Sequence, residues 1–301
     1  MYHCFGYWSH GSCACSFDLS GFKGVKRASA RFFFMWQFCL SAWRSGFRSR
    51  SVHAILGIGV LLVGVAYLSA SFSPRQPKTV ALDVGLSGMR FSLILFALFW
   101  VQELVAREIE RRTVMYTLSY PVSRGAYIVG RYLGILGLLG LAALLLGMLL
   151  WLTTLSIGGA YEQGFRLGLG LPFWTTVFGI WVDAALVAAF ALCIASLSTV
   201  PMLPVALGVA FAVAGKSLGA VIQYLGSGAG GDSELISRYN PLIETIQWFL
   251  PDLSRLDWRV WPMYELFPGY QVIGFGILMA TGYALLMLAL AIIAFSRREF
   301  S

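Results

Sequence analysis

Long apolar runs separated by short polar breaks fill most of this chain. Six runs meet or approach the roughly 20 apolar residues a helix needs to cross a hydrocarbon core. They are Ala54 to Phe72, Ser87 to Ala106, Tyr127 to Ile157, Leu171 to Ser198, Leu203 to Gly226 and Tyr270 to Phe295. The runs are continuous and do not alternate, which argues against a β-barrel. The pattern predicts an all-α, polytopic membrane protein with six transmembrane helices. Arg90 interrupts the second run, which is the weakest of the six. Ahead of the first, Phe32, Trp36, Cys39, Leu40, Trp43 and Phe47 recur at helical spacing, with Arg44, Arg48 and Arg50 among and after them. Aromatics and arginines on one helix are what a membrane–water interface selects, so an N-terminal interfacial helix is expected. Residues 1–31 show no periodicity and no apolar core of a signal peptide. They are read as a disordered extension ahead of a transmembrane domain at 32–301.

Composition agrees with lipid as the main solvent. Of 301 residues, 58% are hydrophobic and 12% charged, about half the charged share of soluble domains. A net charge of +8 would ordinarily raise nucleic acid as a partner. Here the positive charge follows topology. Lys23, Lys26, Arg27, Arg31, Arg44, Arg48 and Arg50 precede the first run, Arg107, Arg111, Arg112 and Arg124 follow the second, and Arg297 and Arg298 end the chain. The segment 227–269 instead carries Asp232, Glu234, Glu244, Asp252, Asp257 and Glu265 against three arginines. The positive-inside rule then places both termini in the cytoplasm and 227–269 outside. That segment is broken by Pro241, Pro251, Pro262 and Pro268 and is rich in aromatics. It is expected to form short amphipathic pieces on the outer leaflet.

Several chemistries are excluded. Cys4, Cys13, Cys15 and Cys39 stand in the N-terminal part, none lies in the outer loops, and their spacing fits no standard zinc pattern, so no disulfide framework and no metal site are expected. His3, His10 and His53 all lie outside the interiors of the runs, which excludes a histidine-built haem or metal site in the membrane. No Ser–His or paired-carboxylate arrangement suits a hydrolase. Gly215-Lys216-Ser217 resembles the end of a phosphate-binding loop, but position 210 is Ala where the motif needs Gly, and the tripeptide sits in an apolar run. This chain is not expected to bind ATP or to be an enzyme.

Two sets of polar residues remain. Asp183 and Lys216 fall mid-way along the fourth and fifth runs, at similar depth from the turn near 199–204. Each costs about 2.5–3.5 kcal/mol at a bilayer centre, so the two are expected to face each other and pair. The other set is the loop 107–126. Glu108, Glu110, Arg111 and Arg112 cannot enter lipid cheaply. Pro121 ends any helix before it and pushes its predecessor to an extended form. Ser123 is placed to cap the next helix, near Gly125. A short helix near 107–118 along the membrane is expected, followed by a tight re-entry. In the third run, Gly130, Gly134, Gly137 and Gly140 line one face and are read as a packing surface.

The loop's wording, Glu108-x-Glu110-x-x-Thr113, then Leu118-Ser119-x-Pro121-Val122-Ser123-Arg124, then Gly130-Arg131, resembles permease subunits of type-2 ATP-binding cassette transporters. Leu250-Pro-Asp-Leu-Ser-Arg-Leu-Asp257 and the ending Phe295-Ser-Arg-Arg-Glu-Phe300 look closest to the branch linked to maturation of multicopper enzymes such as nitrous oxide reductase. Chains of that kind would more naturally start near Met35. The resemblance implies that 107–126 is a coupling loop gripped by a separate cytoplasmic ATPase, which carries ATP and Mg. Docking contacts would come from Glu108, Glu110, Arg111, Arg112, Thr113, Ser119, Pro121, Ser123 and Arg124. It further implies a second permease copy, residence in a bacterial or archaeal cytoplasmic membrane, and export. Two rival readings share the hydropathy profile. A membrane scaffold or assembly factor would not need a docking loop. An ion-coupled secondary transporter should show internal repeats and broken helices, and no convincing repeat is present.

Overall fold

The computed structural model describes residues 40–46, 48–73, 75–106, 108, 124–157, 167–198, 200–226 and 251–297. Their regular structure is helical: α1 (Arg50–Ser71), α2 (Pro77–Val101), α3 (Arg124–Ser156), α4 (Leu171–Leu197), α5 (Leu203–Gly226), α6 (Val260–Tyr264) and α7 (Tyr270–Arg297). α2 continues into a π-helical turn, Gln102–Ala106, and a 3-10 turn, Leu253–Leu256, precedes α6. All but α6 are long and apolar enough to cross a membrane, which makes six candidate spans among the described residues. The chain is a multi-pass membrane protein. The extension 1–31, most of the loop 107–126 and residues 227–250 lie outside the described residues.

α2 starts at Pro77, well ahead of the expected Ser87. Proline suits the first helical turn, where its missing N–H is no loss. A hydropathy reading trims this end because it counts Lys78, Asp83 and Arg90 as breaks. The fold uses two of them: Asp83 pairs with Arg259, and Arg90 is only 4% exposed.

α4 is the central helix, with 78% of its apolar window buried against 22% for α1 and 17% for α7. Its buried face includes Ala184, Ala188, Ala191 and Ala195. Small side chains let neighbouring backbones approach, the main source of helix association where lipid removes the hydrophobic drive. α3 works the same way at two glycines. The Trp43 ring lies 2.8 Å from where a Cβ on Gly137 would stand, and Gly140 faces Trp181. Trp181 Nε1 also donates to the Leu136 carbonyl at 3.2 Å. Residues 40–46 are helical, as the apolar spacing predicts, with Ala42 and Gly46 buried and Arg44 exposed.

The piece 251–264 departs from expectation. It does not lie flat on a surface. Leu253, Leu256 and Trp258 are at most 3% exposed and join the main core. The Asp252 side chain caps the 3-10 turn, accepting from Ser254 N at 3.1 Å and Ser254 Oγ at 2.6 Å. Gly215 and Gly219 of α5 form the seat: Leu253 packs on the first and Ser254 on the second. Thr176 Oγ1 donates to the Trp258 carbonyl at 3.2 Å, and Gly168 N to the Pro262 carbonyl at 3.0 Å. The proline-rich spacing signalled breaks correctly. It carried no sign that Leu253, Leu256 and Trp258 would turn inward.

Candidate functional site

A chain of alternating charges runs from the middle of α2, α4 and α5 to the 251–264 piece. Asp183 of α4, 1% exposed, lies 3.4 Å from Arg90 Nε of α2. Arg90 Nη1 donates to Asp257 Oδ2 at 2.8 Å. Asp257 also accepts from Arg259 Nε at 2.7 Å and Nη2 at 2.9 Å, a two-pronged guanidinium contact. Lys216 Nζ of α5 stands 3.4 Å from Asp257 Oδ2. Arg259 Nη1 reaches on to Asp83 of α2 at 3.0 Å and to the Ser87 hydroxyl. Three carboxylates thus meet three cations, so the network is neutral as a whole. Burial pushes the Asp257 carboxyl up, but the hydrogen bonds from Arg259 and the charge of Arg90 outweigh it and hold it below its ordinary value. Arg259 is held above its ordinary value, chiefly by those hydrogen bonds to Asp257.

The expected direct pairing of Asp183 with Lys216 is therefore corrected. Each has another partner, and the two are linked only through Arg90 and Asp257. Depth along neighbouring helices was a sound guide to which level the charges share. It could not reveal that Asp257, thirty-odd residues beyond α5 in sequence, dips between them. The signal for Arg90 was present: an arginine inside an apolar run needs a buried partner.

A second polar group stands where α2 leads into the 107–126 loop. Glu108, at the start of the 107–126 loop, accepts from Arg131 Nη2 of α3 and from the Tyr127 hydroxyl. Arg131 Nη1 donates to Ser41 Oγ at 3.3 Å, and its guanidinium lies over the Tyr127 ring at 5.5 Å. Tyr127 stacks on Phe295 near the end of α7. The π-helical turn adds two contacts. Glu103 accepts from Ser49 Oγ at 2.8 Å, at the mouth of α1. Gln102 Nε2 donates to Met202 Sδ at 3.1 Å, in the turn before α5. One short stretch, 102–108, is thus fastened to the mouth of α1, to α3 and to the α4–α5 turn, and Arg131 of α3 links it on to the 40–46 helix. π-helical turns recur at functional sites.

Among the loop residues singled out by sequence, the structure places the side chain of Glu108 alone. It points inward to Arg131 and Tyr127, so it is a latch on α3 more than an outward docking charge. Arg124 begins α3. Glu110, Arg111, Arg112, Thr113, Ser119, Pro121 and Ser123 lie outside the described residues, as do the N-terminal cysteines. Among the described residues, no group of three or more His, Cys, Asp or Glu is arranged to hold a metal ion.

Over 146 residues the chain is 32% identical to a protein of Stutzerimonas stutzeri named as a probable ABC transporter permease protein NosY. The chain resembles an ABC transporter permease. The match covers 46% of this chain and spans half the length of that relative. No family pattern matches the chain.

Proposed function

We propose that this protein is the membrane-spanning permease subunit of an ATP-driven ABC transporter, working as an exporter with a separate cytoplasmic ATPase and a second permease copy in a bacterial cytoplasmic membrane. The observation that carries the reading is the polar hub at 102–108. A loop meant only to set topology needs positive charge and nothing more. Here its root is bonded to Arg131 and Tyr127 of α3, Arg131 reaches on to the helical piece at 40–46, and the neighbouring π-helical turn touches the mouth of α1 and the turn before α5. A push on such a root moves several helices together. The distant likeness to an ABC permease supports reading the pusher as a separate ATPase.

The positive-inside rule puts the hub in the cytoplasm and the 251–264 cap outside. ATP and Mg would sit in the partner, and this chain would hold no catalytic group. Arg111, Arg112, Thr113 and Arg124 are the proposed docking contacts, with Glu108 bracing the loop from within. The test is photo-crosslinking from positions 111, 112 and 124 in living cells. Capture of one nucleotide-hydrolysing protein is the expected result. Labelling of these positions by a membrane-impermeant reagent added outside would reverse the topology and sink the reading. Capture only of lipid or of non-hydrolysing proteins would favour a scaffold without transport.

A further inference from the structure

α2 and α5 leave a groove of about 520 Å³ between them, within the roughly 300–1,000 Å³ range of small-molecule sites. Its two ends differ. Ser87, Arg90, Lys216 and Arg259 stand at the end near the cap. Ile94, Leu95 and Val209 stand at the other. Ser87 to Leu95 on one helix and Val209 to Ser217 on the other each span roughly 12 Å at 1.5 Å per residue. All three charges lining the groove are cations. Their carboxylate partners, Asp83, Asp183 and Asp257, are not part of its wall. The network is neutral in sum but turns its positive side to the groove.

Two of those cations have donors to spare. Arg90 is 4% exposed, and its Nη2 has no hydrogen-bond partner. Lys216 Nζ makes no hydrogen bond among the described residues, and its contact with Asp257, at 3.4 Å, is longer than the usual 2.7–3.2 Å N–H···O distance. A buried guanidinium with an unsatisfied N–H is costly unless something accepts from it. The groove is also open toward lipid, since Phe91 is 57% and Val213 63% exposed.

We propose that this groove binds an anionic lipid of the bilayer, with the carboxylate or phosphate of its headgroup at Lys216 and Arg90 and an acyl chain along the apolar walls. Charge complementarity selects the headgroup, and the apolar far end selects a chain over a free anion. The inference does not depend on ATPase docking and stands or falls separately from it.

The test uses the full-length protein in phosphatidylcholine vesicles carrying a photoactivatable phosphatidic acid, or a neutral diacylglycerol probe of the same chain length. The anionic probe should label peptides containing Phe91–Leu95 or Val209–Val213 at least several-fold more than the neutral one. Lys216→Gln should lower that labelling about tenfold, the loss expected from one charge-assisted contact. Because Lys216 also supports Asp257, a second variant is needed. Val213→Trp fills the groove from an exposed position and should block labelling with the charges intact. Equal labelling by both probes would overturn the proposal, as would labelling indifferent to both variants. Competition by inorganic phosphate at millimolar concentration would reduce the site to an anion site without a chain. A Val213→Cys dimer crosslink that excludes the probe would place a second copy of this chain there instead.

Discussion

Arg90 ties the central helix to the cap. It answers Asp183 on the central helix and Asp257 in the cap at once. Arg90→Met leaves Asp183, 1% exposed, without its cation. A lone carboxylate there costs about 2.5–3.5 kcal/mol, and the thermal midpoint in detergent should fall accordingly. Adding Asp183→Leu should recover a large part of that loss, since replacing a buried pair by apolar residues is often close to neutral. If the double variant is no more stable than the single, the Arg90–Asp183 contact is not what holds α2 to α4. This residue also marks the limit of reading by hydropathy. The apolar runs showed which residues cross the membrane, and Asp183 and Lys216 were visible as charges that need partners. Arg90 looked like a flaw in the second run. Its partners come from α4 and from a segment far along the chain, and sequence separation of that size leaves no local trace.

At the scale of elements, the cap at 251–264 is held by shape and by charge. The shape is the pair of glycines on α5. A Cβ at Gly219 would collide with Ser254, whose hydroxyl is already committed to Asp252. Gly219→Val should therefore lift the 3-10 turn off its seat, costing about 1–3 kcal/mol as an overpacking change. Limited proteolysis within 251–264 would report it, and an unchanged cleavage rate would mean that the seat yields freely. The same notch explains Gly215-Lys216-Ser217: the glycine accommodates Leu253 and the lysine faces Asp257, so the likeness to a phosphate loop was a packing signature. The charge part depends on pH. The Asp257 carboxyl is held low in the folded protein, so its contribution is complete above the ordinary carboxylate value of about 3.9. It is lost as pH falls through the depressed value. The wild type should lose thermal stability below about pH 4, and Asp257→Asn should start lower and show a shallower acid limb. Equal acid limbs would take Asp257 out of the cap's stability. The expectation that this segment lies on a leaflet surface failed because its apolar residues fit two environments equally well, lipid headgroups or a bundle mouth, and only the glycines opposite them decide between the two.

For the whole molecule, the two polar clusters stand at different levels along α2 and its continuation. The hub at 102–108 joins the mouths of the helices, and the Arg90 network joins their middle to the cap. α2 contributes to both, and it lines the lipid-facing groove with α5. A motor gripping the 107–126 loop would act first on Glu108, which is bonded to Arg131 and Tyr127 of α3. If that latch transmits the push, cutting it should separate docking from movement. Arg131→Gln removes the ionic contact and the reach to Ser41 while keeping a polar side chain of moderate length. The ATPase should still co-purify with this variant, since the proposed docking residues are untouched. Movement can be read at Val213→Cys, an exposed groove position, in a background where Cys4, Cys13, Cys15 and Cys39 are replaced by Ser and Cys193 is 4% exposed. Maleimide labelling at 213 should change severalfold on adding ATP and Mg to the wild-type-like complex. In the Arg131→Gln complex that change should be largely lost. Should the ATP-driven change survive, the push travels through the π-helical turn to α1 and α5 without α3, and Glu103 and Gln102 become the residues to cut next.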